Sequence, residues 1–165
     1  MFAYIAASPF IFQSFYGLSA FVFSLCFGAN GAALVIGANI GGKLPNRQAL
    51  AIGVLAFVVA ALYTIAVLII QPYWLFVEIG FFAMLLLMGM TFPAISSLAM
   101  ESERQYAGSA SALLGFAPFF LGGVVSPLVG IGNIFYSTSF VILVCALLAL
   151  SIYWAIRNKI PTSAE

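Results

Sequence analysis

Five stretches of this chain each run for about 20 residues or more with at most one charged side chain, and only short turns separate them. They cover residues 20–42, 49–70, 73–100, 107–130 and 135–156. An α-helix needs about 20 consecutive apolar residues to cross the hydrocarbon core of a bilayer. Inside that core the backbone has no water to bond to, so a spanning segment must satisfy its own N–H and C=O groups. The expected fold is therefore all-α: a polytopic bundle of transmembrane helices forming a single membrane domain over residues 1–165. Composition agrees. The chain is 65% hydrophobic and 5% charged, with mean hydropathy +1.21. Soluble domains carry about 25% charged residues, so a soluble fold is excluded.

The same scarcity of polar groups limits the chemistry. There is no histidine and Asp+Glu is only 4, which leaves little for metal binding or acid–base catalysis. Neither an enzyme nor a cofactor is expected, and a net charge of +1 gives no reason to expect nucleic acid. Cys26 and Cys145 lie deep in apolar runs and read as small buried hydrophobes, with no support for a disulfide framework.

Residues 1–12, MFAYIAASPFIF, have about half the length of a span before Gln13, Ser14, Tyr16 and Gly17 take over. They lack a basic n-region and contain Pro9, so they do not read as a secretory signal. The basic residues set the orientation. Lys43 and Arg47 lie between spans one and two, Arg104 between three and four, and Arg157 and Lys159 after five. All five fall on one side, whereas residues 13–19, 71–72 and 132–134 carry none. The positive-inside rule then puts the C-terminus in the cytoplasm and residues 13–19 outside. On this reading residues 1–12 are the outer half of a sixth helix, truncated at its inner end. Met1 would then be an internal methionine taken as a start, or the chain a genuine truncation; a re-entrant or interfacial segment is the alternative. The long third span suggests tilt, with Pro93 a kink near its end.

Small residues recur at helical spacing. In the fourth span Ser111 and Gly115 are four apart, as are Gly122, Ser126 and Gly130. In the first span Ala29, Ala33, Gly37 and Gly41 form an unbroken ladder. Such faces let helices approach closely where lipid removes the hydrophobic drive, either as static packing or as seams that slide during transport. Ser102 and Gln105 have capping-box spacing at the entry to the fourth span. Pro118 and Pro127, with Gly122 and Gly123 between them, make that span prone to bend. A weak likeness between FGANGAALVIGANIGG and GSASALLGFAPFFLGG fits the inverted triplets of helices common in transporters.

Few polar side chains remain to carry function. Asn30 lies near the middle of the first span, and an amide there seeks a partner; Asn39, near the cytoplasmic end, reads as structural. Glu78 is the only ionisable carboxyl within any span, and intramembrane carboxyls mark ion pathways and proton relays. It is the proton-coupling candidate, against the alternative of a side chain that simply reaches water at the outer surface. Tyr73, Trp74, Tyr153 and Trp154 sit where interfacial anchors belong. Tyr4, Gln13, Asn30, Phe116 and Phe119 are the expected lining of a cavity for an apolar ligand, with Phe12 and Phe120 beside them. Ala33, Gly37, Gly41, Ser111, Gly115 and Gly122 are the expected helix-packing positions.

Several short motifs resemble one family. Ser8-Pro9-Phe10-Ile11-Phe12-Gln13 followed by Tyr16-Gly17-Leu18-Ser19 resembles the end of the seventh helix and the next loop of the Bcr/CflA drug-resistance transporters, within the major facilitator superfamily. Phe27-Gly28-Ala29-Asn30 is similar to their eighth helix, and Phe92-Pro93 with Ala99-Met100-Glu101 to the end of their tenth. Ala107 to Gly115, AGSASALLG, is similar to the start of their eleventh. The resemblance implies a twelve-helix, proton-coupled exporter in a bacterial inner membrane, acting on compounds such as bicyclomycin, chloramphenicol or sulfonamides. This chain would supply the C-terminal half. Its partners would be a small hydrophobic drug, a proton, the bilayer, and the missing N-terminal half or a second copy. A non-transporting remnant and a membrane assembly subunit are the alternatives. Two features depart from the family pattern: the loop Gly42 to Gln48 is shorter and less basic, and Glu78 is not where that pattern leads one to expect a carboxyl.

Overall fold

The computed structural model describes residues 1–102 and 107–158. The five expected spans are five long helices: α2 (Ala20–Gly41), α3 (Asn46–Ile70), α4 (Trp74–Ser102), α5 (Ala107–Val129) and α6 (Ile134–Ile156). All five are long and apolar enough to cross a membrane. Ahead of them α1 (Phe2–Pro9) continues as one π-helical segment over Phe10–Phe15. Among the described residues there is no strand. The Ser102–Gln105 capping box lies outside the described residues.

Two boundaries differ from the sequence reading by three residues, each for a local reason, and the others by one or two. α3 starts at Asn46 rather than Ala49, because Pro45 pre-sets the entry (φ −54°) and its carbonyl accepts from the Ala49 N–H at 3.0 Å. The polar first turn, Asn46-Arg47-Gln48, is invisible to a hydropathy count; Asn46 Nδ2 donates from it to Ser97 Oγ on α4 at 3.2 Å. The first segment extends to Phe15 because the chain passes Pro9 by widening its turn, with Tyr16 N–H donating to the Ile11 carbonyl at 3.1 Å.

The turns are made by the residues the sequence offers. Ser19 Oγ accepts from the Val22 N–H at the head of α2, and Asn133 Oδ1 from the Phe135 N–H at the head of α6. Between α3 and α4, Gln71 takes the left-handed conformation (φ 52°) and donates its N–H to the Val67 carbonyl, closing the helix before Pro72. Tyr16 Oη then donates to the Pro72 carbonyl at 2.8 Å, tying the end of the first segment to this hairpin. Burial pushes the Tyr16 phenol above its ordinary value, so it stays a donor.

α4 is the axis of the bundle. Half of its apolar window is buried, against 11% for α5. It packs on α2 along one side and α3 along the other, α3 packs in turn on α6, and α1 lies against α5. The α2–α4 seam is a backbone-to-backbone contact. A Cβ added at Gly37 would overlap the Leu86 carbonyl, one at Gly41 the backbone of Met90, and one at Gly89 of α4 the backbone of Leu34. On the α3 side, a Cβ at Gly80 would fall 2.7 Å from Thr64 Oγ1, and one at Gly53 would fall 2.6 Å from Thr91 Cγ2. Ala33 is fully buried in line with Gly37 and Gly41. Gly122 of α5 is covered by the Phe2 ring, whereas Ser111 and Gly115 are exposed, with open space beside Gly115.

These contacts lead to a first prediction. Gly37→Leu or Gly89→Leu should destabilise the bundle by more than the about 1–3 kcal/mol typical of overpacking, because backbone cannot move aside as a side chain can. Gly115→Leu should be tolerated. Thermal unfolding of the detergent-solubilised protein, followed by size-exclusion fluorescence, measures the difference.

Candidate functional site

The buried stripe of α2 is Cys26, Asn30, Ala33, Gly37 and Gly41. Steps of three and four residues keep one helix face turned to a neighbour. The stripe leaves the four-residue ladder at its upper end, so Asn30 faces inward and Ala29 is exposed. Because Gly37, Gly41 and Gly89 hold α2 tightly on α4, the Asn30 amide reaches the carboxyl of Glu78 one turn into α4. Asn30 Nδ2 donates to Glu78 Oε1 at 2.8 Å and to Tyr4 Oη of α1 at 2.8 Å. Three helices thus meet in one polar cluster. Asn30 is 1% and Glu78 8% exposed.

Aromatic rings close the cluster in. The Tyr4 ring packs on Phe81 with centroids 5.0 Å apart and stacks on Phe27 at 5.9 Å, and Phe81 meets Phe12 at 6.2 Å. Tyr4, Phe12 and Phe81 are all buried. In the cluster Glu78 Oε2 and Asn30 Oδ1 have no hydrogen-bond partner, and Ser8 Oγ of α1 and Thr138 Oγ1 and Ser139 Oγ of α6 are likewise buried without one. Ser8 lies one turn beyond Tyr4 on the same face of α1.

Two cavities adjoin the first helix. A small one of about 50 Å³ lies beside Tyr4, against Phe81, Met84, Leu85 and Ile142. A larger one of about 580 Å³ opens between α3, α4 and α6, lined by Leu50, Phe57, Met88, Ile95 and Ile152, with Thr91 and Tyr153 adding its few polar atoms. Among the described residues no three metal-ligating side chains come together.

Of the residues expected from sequence, the structure brings together Tyr4, Asn30 and Glu78. Gln13 is half-buried in the π-helical segment, more than two turns further along the chain than Tyr4. Phe116 and Phe119 lie apart, 61% and 69% exposed; Phe116 stacks on Phe120, and Phe119 meets the Phe2 ring edge-on at 5.5 Å. Sequence reasoning did not single out Ser8 or place Cys26 beside the site. The signal for both was their spacing of four from Tyr4 and Asn30.

Over 136 residues, 80% of its length, the chain is 40% identical to YdgK of Bacillus subtilis (strain 168), an uncharacterized MFS-type transporter. The likeness supports membership of the major facilitator superfamily. With five membrane-spanning helices, this makes the chain a multi-pass membrane protein. It spans about a third of that relative's length, 34%. No family model matches the chain, and no solved structure matches it significantly.

In a membrane-helix bundle, a cluster that joins three helices through one amide should depend on that amide. Asn30→Ala removes the donor to both Tyr4 and Glu78 and should cost about 1–2 kcal/mol, the scale of hydrogen bonds between membrane helices. Glu78→Gln keeps an acceptor for Asn30 and should cost less. Unfolding in mixed micelles ranks the two variants.

Proposed function

We propose that the chain is the C-terminal six-helix part of a twelve-helix, proton-coupled exporter of small apolar drugs in a bacterial inner membrane. The observation that carries this reading is the buried carboxyl of Glu78, held by Asn30 of α2, whose amide also donates to Tyr4 of α1. An ionisable group at that depth is expensive unless it works, and a group that bridges moving elements can link its charge to their positions. The likeness to an MFS-type transporter supports transport in general. The motifs Ser8–Gln13 and Ala107–Gly115, which resemble the Bcr/CflA transporters, support drugs of the bicyclomycin, chloramphenicol or sulfonamide kind as substrates.

Orientation follows the basic residues: Lys43, Arg47, Arg104, Arg157 and Lys159 would face the cytoplasm, with the Tyr16–Pro72 tie at the outer surface. Arg157 lies 3.8 Å over the Trp154 ring, as expected of an inner-interface anchor. The exposed face of α5, with Ser111, Gly115, Phe116 and Phe119, is left for a second six-helix bundle, either the rest of a longer chain or another copy. The drug would pass between the two bundles.

Expression in an exporter-deficient bacterial strain tests the reading, both for the chain alone and for it joined to a partner half. Resistance to one of these drugs should rise, and collapse of the proton gradient should abolish it. Glu78→Gln should remove the gradient-driven resistance while drug binding to the purified protein survives. Resistance unchanged in every background would overturn export and leave the non-transporting remnant or assembly subunit.

A further inference from the structure

Asn30 and Glu78 are joined by a single hydrogen bond, although an amide and a carboxyl group can make two. The bond present runs from Asn30 Nδ2 to Glu78 Oε1. The other oxygen of each group, Asn30 Oδ1 and Glu78 Oε2, is buried without a partner. Both are acceptors, so neither satisfies the other. Within the described helices the one lysine or arginine is Arg47, in the first turn of α3, at the end of that helix away from the α3–α4 turn and Glu78.

We propose that one proton is shared between Glu78 and Asn30, closing a cyclic acid–amide pair, and that Asn30 is the residue that positions this proton. The inference rests on the reading of Glu78 as the proton carrier. With a hydrogen on Oε2, that oxygen becomes a donor and Asn30 Oδ1 is its acceptor, on the same amide that already holds Oε1. One proton handed over by a hydronium ion, whose O–H bond breaks to leave water, forms one O–H bond on Oε2, removes the carboxylate charge and satisfies two orphaned atoms at once. On release the O–H bond breaks, its electron pair stays on Oε2, and the proton leaves with water. The second N–H of Asn30 is already committed to Tyr4, so making and breaking the pair is felt directly at α1.

The surroundings leave the proton little alternative. The buried faces of α1 and α2 offer Tyr4 and Cys26 as their titratable side chains. The buried face of α3 offers Ala60, Ala61, Thr64, Val67 and Leu68, and that of α6 offers Phe135, Thr138, Ser139, Val141, Ile142 and Ala146, none of them titratable. The sequence of α5 contains no titratable side chain.

Infrared difference spectra of the whole chain in lipid nanodiscs, recorded across a pH titration, test the pairing. The carboxyl C=O band lost in Glu78→Gln belongs to Glu78. Asn30→Ala should move this band to higher wavenumber, as expected for an acid that loses its amide partner, and Tyr4→Phe should move it much less. A band unaffected by Asn30→Ala overturns the pairing yet leaves Glu78 as the proton carrier. No Glu78-dependent acid band at any pH overturns the carrier reading itself. A band abolished by sodium at constant pH makes a monovalent cation the occupant and overturns the shared proton. Should Asn30→Ala fail to fold, wild type with nitrogen-labelled asparagine serves instead. The Asn30 amide resonances must then shift in step with the Glu78 band, and their indifference to pH overturns the proposal.

Discussion

In lipid no hydrophobic force draws two helices together, so this bundle depends on how closely backbones can approach. The decisive approach is that of α2 to α4. Gly37 and Gly41 sit on the carbonyl side of Leu86 and Met90, and Gly89 returns the contact at Leu34, so each helix fills the groove left by the other. The seam fixes the spacing of the two helices a few turns from Asn30 and Glu78. An amide and a carboxyl on short side chains meet at 2.8 Å only because the helices carrying them are already that close. The polar cluster is therefore a consequence of the glycines, and a wider seam would leave a carboxyl alone in an apolar shell.

α1 is bound by different means. It contributes Tyr4, whose ring is held by Phe27 and Phe81 and whose hydroxyl accepts from Asn30. Beyond Pro9 its turns widen into the π-helical segment, which leads the chain to Tyr16 and its bond to the Pro72 carbonyl. Such segments are uncommon and recur at functional sites. Here it spaces two fixed points, the buried phenol at Tyr4 and the interfacial one at Tyr16, and lets Phe12 fill the interior between them.

Much of the fold was legible because a bilayer imposes a length. Five apolar runs of sufficient length became five helices, with ends displaced by only a few residues where a proline and three polar residues opened α3. Asn30, Glu78 and Tyr4 could each be singled out as polar groups in apolar surroundings. Their meeting could not be read, since depth counted from the ends of separate spans says nothing about relative shift or rotation. Ala29 illustrates the difficulty: a strict four-residue ladder places it on the seam, but real helices turn 3.6 residues at a time, and Asn30 takes the inward position. Phe116 and Phe119 illustrate another, because hydrophobicity does not tell a ring facing a ligand from one facing lipid or a partner bundle.

The relative sizes of the energies decide what each member of the cluster can do. A hydrogen bond between membrane helices is worth about 0.6 kcal/mol on average and about 1.7 at most, whereas a charged carboxyl at the centre of a spanning helix costs about 2.5–3.5 kcal/mol on insertion scales. Glu78 lies one turn into α4 rather than at its centre, so its charge is costly for its burial more than its depth. The single bond from Asn30, itself held by Tyr4, orients the carboxyl without offsetting that cost. A change in its charge therefore has to be accompanied by something larger than a side-chain adjustment, either entry of water or movement of a helix. α1 is joined to the cluster through a single phenol, while α2 and α4 are locked backbone to backbone. That asymmetry makes the α2–α4 pair the frame against which α1 is seated.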